Sequence, residues 1–337
     1  METIEISETC NQTLFDYYDS YLQEFKNILG HHFKKCREEF IDYFHENAQH
    51  FAIGVFIYIV FSFCFYCFII RTKLVRHMGT ISNCKNVLFV TSHPDDECMF
   101  FGPTIISLSN RPDFSVYLLC LSRGEILQIS LANKIHQMGV HINIEPVLGN
   151  FQNLGKVRKK ELYESCKILN VPESHVQIVN STLLQDDPTV NWNQEVVADI
   201  ILNFVETYSI DAILTFDRNG VSNHPNHSSL FYAMAHLCLE KKLPRRCKAY
   251  ALESVSRLRK YLGFLDLPFT YLMSSKKYVV AMDKRNMIRQ AMRAHKSQYV
   301  WFRKLYMYVS RYIFINSYKE IDVLELELDF EVDDERG

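Results

Sequence analysis

The chain of 337 residues is long enough for one large domain or two small ones, and 48% of its residues are hydrophobic. Lysine and arginine number 37 against 39 aspartates and glutamates, which gives a formal net charge of −2. This balance excludes a charge-rich disordered protein and a chain-wide positive field for nucleic acid, so no nucleic-acid partner is expected. The ten cysteines show no reliable metal-ligand spacing. They are scattered along the chain in segments expected to be buried, which is typical of a protein in a reducing compartment.

The longest apolar segment predicts one transmembrane helix over residues 51–70. These 20 residues carry no charge, and about 20 apolar residues are needed to cross a hydrocarbon layer of ~30 Å. A buried core helix is the alternative, but such a helix normally has a polar face, and this segment has none. Arg71, Lys73 and Arg76 follow directly, which predicts a cytosolic C-terminal part and a lumenal N-terminal extension over residues 1–50.

From residue 86 onward, apolar strands alternate with helical segments. Strands are predicted in NVLFVTS, SVYLLCLS, HVQIVN, IDAILTFD and KAYALESV. Near-continuous apolar strands joined by helices are typical of a mostly parallel sheet with helices on both faces. We therefore predict an α/β fold that follows the transmembrane helix.

Two polar clusters come directly after two of these strands. The sequence HPDDE, residues 93–97, follows NVLFV, and DRNGVSNHPNH, residues 217–227, follows AILTF. Ligands of open α/β sheets bind beyond the carboxyl ends of the strands, so the two clusters are expected to meet there. Three adjacent acids repel one another, and a bound cation would remove that repulsion.

The residue types in the two clusters fit a catalytic metal centre. His224 and His227 are three residues apart around a helix start, so their side chains can share a face. Such a pair alone is more often a surface feature, but two histidines and one carboxylate with an open position form the pattern of catalytic zinc. Of the adjacent Asp95 and Asp96, one would bind the metal and the other would accept a proton from water.

These motifs resemble those of the LmbE-like zinc de-N-acetylases, and among them the PIG-L-type branch. The resemblance rests on HPDDE, MFFGPTI, LGKVRKKEL, TFDRNGVSNHPNH, YLGFLDLPFTYL and KSQYVWFRKLYMYVSRYIFINS, and it covers roughly residues 85–318. It implies a Rossmann-like hydrolase with zinc, or another divalent metal, as its cofactor. The implied protein crosses the endoplasmic reticulum membrane once, faces the cytosol and removes acetate from GlcNAc-phosphatidylinositol in GPI-anchor biosynthesis.

The resemblance also implies roles for individual residues. His93, Asp96 and His227 are the implied metal ligands, and Asp95 is the implied general base. His224 would stabilise the oxyanion and protonate the leaving amine.

Two further residues have an implied role and an open alternative. Arg158 is similar to an arginine that contacts the sugar, or it is a solvated helix charge. Asp217 either orients His224 from outside the ligand set or caps a turn.

Two other functions stay open at the level of sequence. A membrane-tethered adaptor with a degenerate site is disfavoured by the complete set of histidines and aspartates. A deacetylase of a soluble amino-sugar conjugate is disfavoured by the membrane helix.

Three further segments have a distinctive composition or differ from the family pattern. Between Lys284 and Arg311 there are eight Lys/Arg and no acid, in a predicted helix that lies on an anionic membrane or packs its aromatic side chains on the sheet. Residues 125–149 are an insertion relative to the family pattern, either a lid or membrane-dipping loop or, as we favour, a dispensable segment. The acidic tail, residues 319–337, is predicted to be a solvated end.

Overall fold

The computed structural model describes residues 2–72, 81, 84–123, 145–187, 190–324 and 326. These residues belong to two compact units, Met1–Phe61 and Ser62–Gly337. Most of the predicted insertion, residues 125–144, lies outside the described residues, as does most of the predicted acidic tail, so both remain predictions.

One helix, α1, begins at Glu2 and ends at Thr72. No proline interrupts this segment, which allows the helix to continue through the predicted boundary at residue 50. The stretch Leu22–Thr72 is a helix long and apolar enough to cross a membrane, and its most apolar 18-residue window has a mean hydropathy of 2.6. The predicted span, residues 51–70, lies inside this candidate.

The C-terminal end of α1 belongs to the second unit. Tyr66 and Ile69 are buried in the core of that unit. The Tyr66 hydroxyl donates a hydrogen bond to the carbonyl oxygen of Val280 at 2.8 Å. The last turns of the candidate span are therefore attached to the α/β unit by packing and by this hydrogen bond.

Within the described residues, the second unit contains a seven-stranded sheet of order β3-β2-β1-β4-β5-β7-β6. Its strands are β1 Asn86–Thr91, β2 Ser115–Cys120, β3 Val176–Ile178, β4 Ala212–Phe216, β5 Lys248–Leu252, β6 Lys276–Val279 and β7 Ile315–Glu320. Strands β1 to β5 pair in parallel, whereas β7 pairs antiparallel with β5 and β6. The prediction of a mostly parallel sheet is confirmed.

Helices flank this sheet. They are α2 Asp96–Met99, α3 Gly102–Ser109, α4 Glu145–Ile168, α5 Gln194–Thr207, α6 Gly220–Asn223, α7 Pro225–Leu239, α8 Arg257–Lys260, α9 Leu267–Met273, α10 Met282–Ala294 and α11 Trp301–Val309. Helix α5 packs against α7, and α10 packs against α4. Every residue of β4 is buried, which requires cover on both faces of the sheet.

The basic, aromatic segment forms two helices, α10 and α11, so the prediction of one helix is wrong. The chain turns between them because His295 and Ser297 bond inward. The ring of His295 contacts Glu97, and the Ser297 hydroxyl donates to Glu161 at 2.6 Å. These two contacts lie between the end of α10 at Ala294 and the start of α11 at Trp301.

The aromatic side chains in and directly after this segment divide into a buried group and an exposed group. Tyr306, Tyr312 and Phe314 are buried in the core, whereas Trp301 and Phe302 are exposed. The segment therefore packs on the unit and also leaves an aromatic surface open.

Candidate active site

The turn after β1 is fixed by backbone hydrogen bonds to its own carboxylates. Oδ2 of Asp96 accepts from the N–H groups of Ser92 at 3.0 Å and of His93 at 2.8 Å. Asp95 has φ of 106°, a left-handed conformation that is costly for a residue other than glycine. Backbone strain of this kind occurs at active sites and persists where the surroundings fix it.

The turn after β4 depends on Gly220. Its φ is +51°, and a Cβ atom added there would lie 2.5 Å from Cβ of His227. Nδ1 of His227 donates a hydrogen bond to the Gly220 carbonyl at 3.0 Å. The His227 ring also stacks on Phe216, with centroids 4.0 Å apart. Glycine thus permits the close approach that orients the histidine.

His93, Asp96 and His227 are brought together as predicted, and all three are buried. One donor atom of each lies within 4.8 Å of the other two, and Nε2 of His227 is 3.2 Å from Oδ1 of Asp96. In the neutral ring Nδ1 of His227 carries the proton donated to Gly220, which leaves Nε2 as the nitrogen available to a metal ion. This Nε2 has no hydrogen bond of good geometry among the described residues, but it lies at ion-pair distance from Asp96. A buried lone pair that faces a carboxylate fits a divalent metal ion.

The electrostatic environment favours the metal-binding protonation state at His93 and Asp96 but not at His227. Burial lowers the pKa of His227, but Asp96 and the Gly220 carbonyl raise it overall, so a metal ion would have to displace a proton there. Burial lowers the pKa of His93 to about 4. Burial opposes ionisation of Asp96, but the neighbouring His227 and His93 hold the pKa of that carboxyl well below its usual range. An ionised Asp96 and a neutral His93 are the forms that bind metal.

Asp95 lies beside the ligands and pairs with a residue from α11. Its Oδ2 is 2.9 Å from Nη1 of Arg303. Burial raises the pKa of Asp95 to about 6, although Arg303 and Arg158 act in the opposite direction. A carboxylate in this range can accept a proton near neutral pH.

His224 lies against both ligand histidines. Its ring centroid is 5.1 Å from that of His93 and 4.9 Å from that of His227. Nδ1 of His224 accepts from the N–H of Asn226 at 3.3 Å, at the start of α7. Burial lowers the pKa of this half-buried imidazole. The side chain is therefore within reach of a group bound at the three ligands.

Comparison with known proteins identifies the family. A family profile described as PIG-L, GlcNAc-PI de-N-acetylase, matches residues 88–238. The N-acetylglucosaminyl-phosphatidylinositol de-N-acetylase of Bos taurus is 41% identical over 234 residues, which cover 69% of this chain and 82% of that protein. The chain belongs to the PIG-L family.

Two further comparisons accompany this match. A probable enzyme of the same name from Dictyostelium discoideum is 33% identical over 267 residues, covering 70% of this chain and 93% of that protein. Among solved structures, the N,N'-diacetylchitobiose deacetylase from Pyrococcus horikoshii superposes with a TM-score of 0.49 at 18% identity. That superposition covers 72% of this chain and 85% of the other.

Arg158 of this PIG-L family chain is buried, so its interpretation as a solvated helix charge is wrong. Nη1 pairs with Asp186 at 2.9 Å, and Nη2 donates to the carbonyl of Pro94 at 3.2 Å. Asp186 also lies 3.2 Å from Nε2 of His93. Arg158 therefore borders the site through the HPDDE turn and through Asp186.

Asp217 is close to the site, but its contacts are those of a turn. Its carboxylate accepts from the N–H of Ser254 at 2.7 Å, from the hydroxyl of Ser254 at 2.6 Å and from the N–H of Asn219 at 3.1 Å. In the described part of the chain these bonds do not reach His224. The contacts support the turn-capping interpretation.

Three polar residues of the site were absent from the sequence prediction. Asp186 follows β3, so the rule that ligands bind beyond strand ends could have found it. Asn226 lies within the predicted second cluster; it is fully buried, and its Nδ2 is 3.0 Å from Nε2 of His93. Arg303 lies in the segment KSQYVWFRKLYMYVSRYIFINS, which carries part of the family resemblance, but nothing in that segment relates it to Asp95.

A second buried pair of histidine and carboxylate supports the HPDDE turn from behind. Nε2 of His295 lies 2.7 Å from Oε1 of Glu97, and the hydroxyl of Ser165 donates to the same oxygen. The other oxygen accepts from the N–H of Asp95 at 3.0 Å. Glu97 and His295, with Cys98, are also close enough to hold a metal ion, but both Glu97 oxygens already accept hydrogen bonds.

Proposed function

We propose that this protein is a metal-dependent hydrolase that removes acetate from GlcNAc-phosphatidylinositol in GPI-anchor biosynthesis. Membership of the PIG-L family supports the substrate, because its relatives carry the name of that activity. The observation that carries the chemistry is the buried group of His93, Asp96 and His227, whose donor atoms lie within 4.8 Å of one another, with Nε2 of His227 facing the carboxylate of Asp96.

The proposed cofactor is zinc, held by His93, Asp96 and His227. Bound there, such an ion would polarise the amide carbonyl of the substrate and make water more acidic. The chain fixes two of these ligands before any ion arrives. Asp96 is held by two backbone N–H groups, and His227 by the carbonyl of Gly220.

Asp95 and His224 are proposed to move the protons. Asp95 is adjacent to the ligands and would accept a proton from the attacking water. His224 would stabilise the charge that develops on the amide oxygen and would then protonate the leaving amine. The position of His224 against both ligand histidines supports this role.

Arg158 and Asp217 are proposed to support the reaction without taking part in proton transfer. Arg158 would contact the sugar, and its pairing with Asp186 already fixes its guanidinium next to the HPDDE turn. Asp217 would act on His224 only indirectly, by holding the turn that leads to α7 through its bonds to Ser254.

We also propose a place in the cell. The segment 51–70 would cross the endoplasmic reticulum membrane once, with residues 1–50 in the lumen and the deacetylase domain, residues 85–318, in the cytosol. The positive charges directly after the segment support this orientation. Protease added to sealed microsomes should digest the C-terminal unit, and full protection of that unit would contradict the orientation.

The activity is tested by acetate release from GlcNAc-phosphatidylinositol by the purified full chain. We expect equal amounts of acetate and free amine, loss of activity with a chelator, and recovery on addition of Zn²⁺. A folded chain that binds no metal and releases no acetate would favour the adaptor. Faster hydrolysis of a water-soluble amino-sugar conjugate would favour the other alternative.

A further inference from the structure

Helix α11 has one largely exposed apolar side, on which the guanidinium of Arg289 lies over the ring of Tyr308 at 3.6 Å. Trp301, Phe302, Leu305 and Tyr308 are 74%, 54%, 55% and 52% exposed. Their spacing places them along one side of the helix, while Met307 on the other side is fully buried. So large an exposed aromatic surface is unusual for a solvated helix and indicates a binding surface.

The apolar side of α11 continues onto a neighbouring element. A cavity of about 460 Å³ is lined by Tyr261 from the turn after α8, by Trp301, Phe302 and Leu305 from α11, and by Met99 from α2. Tyr261 is itself 52% exposed. We call Tyr261, Trp301, Phe302, Leu305 and Tyr308 the aromatic patch.

The aromatic patch is close in the fold to the end of the membrane-span candidate. Phe264 follows Tyr261 by three residues, in the 3-10 turn Gly263–Asp266. Its ring contacts two side chains of α1, Phe63 at 6.2 Å and Tyr66 at 6.3 Å between centroids. A membrane that contains α1 would therefore come close to the turn that carries Tyr261.

The charge around the aromatic patch fits an anionic surface. The segment from Lys284 to Arg311 has eight basic residues and no acidic one. Within it Arg293, Lys296 and Lys304 are exposed. Aromatic side chains beside lysine and arginine are the composition of helices that lie in the interface of anionic lipids.

The same helix reaches the candidate active site. Arg303 lies in sequence between Phe302 and Leu305, and its guanidinium pairs with Asp95 at 2.9 Å. Met99, in the wall of the cavity, belongs to the short helix that begins at Asp96. One end of the aromatic patch is thus adjacent to the residues proposed to carry the chemistry.

We propose that the aromatic patch inserts into the surface of the lipid bilayer, so that a lipid-linked substrate passes from the membrane to the site along the cavity beside α11. This inference rests on the proposed function for the substrate, but contact of the patch with lipid can be measured without any turnover. It makes the enzyme selective for a headgroup presented in a bilayer over the same headgroup in solution.

The chain has two tryptophans, and they form a built-in reporter pair. Trp301 is 74% exposed in the patch, whereas Trp192 is 3% exposed. The full chain is reconstituted in anionic vesicles with brominated acyl chains and in matched vesicles without bromine. With Trp192→Phe, only Trp301 remains, and we expect bromine to quench its fluorescence strongly. With Trp301→Phe, the buried Trp192 is the matched control and should be quenched little.

A second experiment connects lipid contact with turnover. Leu305→Glu should reduce the quenching of Trp301 and lower acetate release from lipid-linked substrate in vesicles by roughly tenfold. Its metal content should not change, and its activity on the same headgroup without acyl chains should fall much less than its activity on the lipid-linked substrate. The matched control is Leu324→Glu, which adds the same charge at another exposed leucine and should change neither activity.

The outcomes separate the two proposals. Equal quenching of both tryptophans, or an unquenched Trp301, overturns docking of the patch on lipid, even if acetate is released; a protein partner would then be the occupant. Equal losses on both substrates in Leu305→Glu also overturn it. Absence of acetate release from either substrate overturns the proposed function, while the quenching result still decides the docking.

Discussion

The α/β unit contains two buried pairs of histidine and carboxylate. Their carboxylates, Asp96 and Glu97, are neighbours in the turn after β1, and their histidines come from distant segments. In the first, Asp96 faces His227, whose Nε2 has no hydrogen bond in the described part of the chain. In the second, Glu97 faces His295 at 2.7 Å, and both oxygens of Glu97 accept hydrogen bonds. Residue type and burial are nearly the same, and each histidine has one ring nitrogen without a hydrogen bond among the described residues, Nε2 of His227 and Nδ1 of His295. The difference is which nitrogen faces the carboxylate: in the first pair it is the nitrogen without a hydrogen bond, whereas in the second pair it is the one already bonded to Glu97.

The electrostatics of the second pair agree with a structural role. Burial favours a neutral His295, but the carboxylates of Glu97, Asp95 and Glu161 together raise its pKa. Burial likewise opposes ionisation of Glu97, and His295 lowers its pKa in spite of it. The two groups therefore form an ion pair. In the first pair burial lowers the pKa of His227 and Asp96 raises it overall in the same way, so the pKa directions do not separate the two clusters, and their response to mutation is the test.

The largest effect should follow loss of a ligand in the first cluster. Asp96→Ala and His227→Ala should each lose bound metal and essentially all acetate release. Outer residues that only orient metal ligands already contribute about 10–100-fold, so loss of a ligand should exceed that. Metal content by mass spectrometry and acetate release measure both effects. Normal metal content in either variant would remove that residue from the ligand set.

Asp95→Asn tests the division of labour between neighbouring aspartates. The side chain keeps its shape and loses its basicity, so metal content should stay normal while kcat falls by about 10²–10⁴-fold. Steady-state kinetics on metal-loaded protein make the measurement. Zinc loss equal to that of Asp96→Ala would show that Asp95 is a ligand as well.

His295→Leu tests the second cluster by leaving Glu97 buried without its partner. Loss of one partner of a buried ion pair is expected to reduce the free energy of unfolding by about 3–5 kcal/mol. The matched variant His295→Gln can still donate a hydrogen bond to Glu97 and should lose less. Thermal unfolding gives the difference, with metal content of the folded fraction unchanged. Metal loss without loss of stability would assign His295 to the metal site.

Asp217→Asn should have the smallest effect. The amide keeps one oxygen acceptor for Ser254, so the turn should be destabilised by about 1–2 kcal/mol and kcat should change less than tenfold. A loss of kcat as large as that of His224→Ala would instead favour the role of Asp217 in orienting His224.

The sequence predicted the parts of the site that are contiguous in the chain. One strand is followed by His93, Asp95 and Asp96, and another by His224 and His227. The two strand ends alone therefore predict that these residues lie close together. The contact of Arg303 with Asp95 joins distant segments, and no local pattern carries that information. Arg158 was left between two interpretations because helical spacing does not show whether a charge finds a buried partner such as Asp186.

The strands of the fold that show a local apolar pattern could be predicted, and those without such a pattern could not. The five parallel strands are apolar runs and were predicted, whereas β6 and β7 were not. Strand β7, INSYKE, contains polar residues that are buried because they have partners, such as Asn316, which accepts from the hydroxyl of Thr104 at 2.8 Å. A strand that contains a buried, hydrogen-bonded asparagine cannot be predicted from the pattern of hydrophobic residues.

The burial of Asn226 also bears on the orientation of the protein in its membrane. Asn226-His227-Ser228 is an acceptor sequence for N-linked glycosylation. The amide nitrogen that would carry the glycan lies 3.0 Å from the ring of His93 and donates to the carbonyl of Gln185. A chain inserted the wrong way round would meet the oligosaccharyltransferase before it folded, and a sugar on Asn226 could not be accommodated. Under the proposed orientation, molecules inserted the other way round would therefore be inactive from the start.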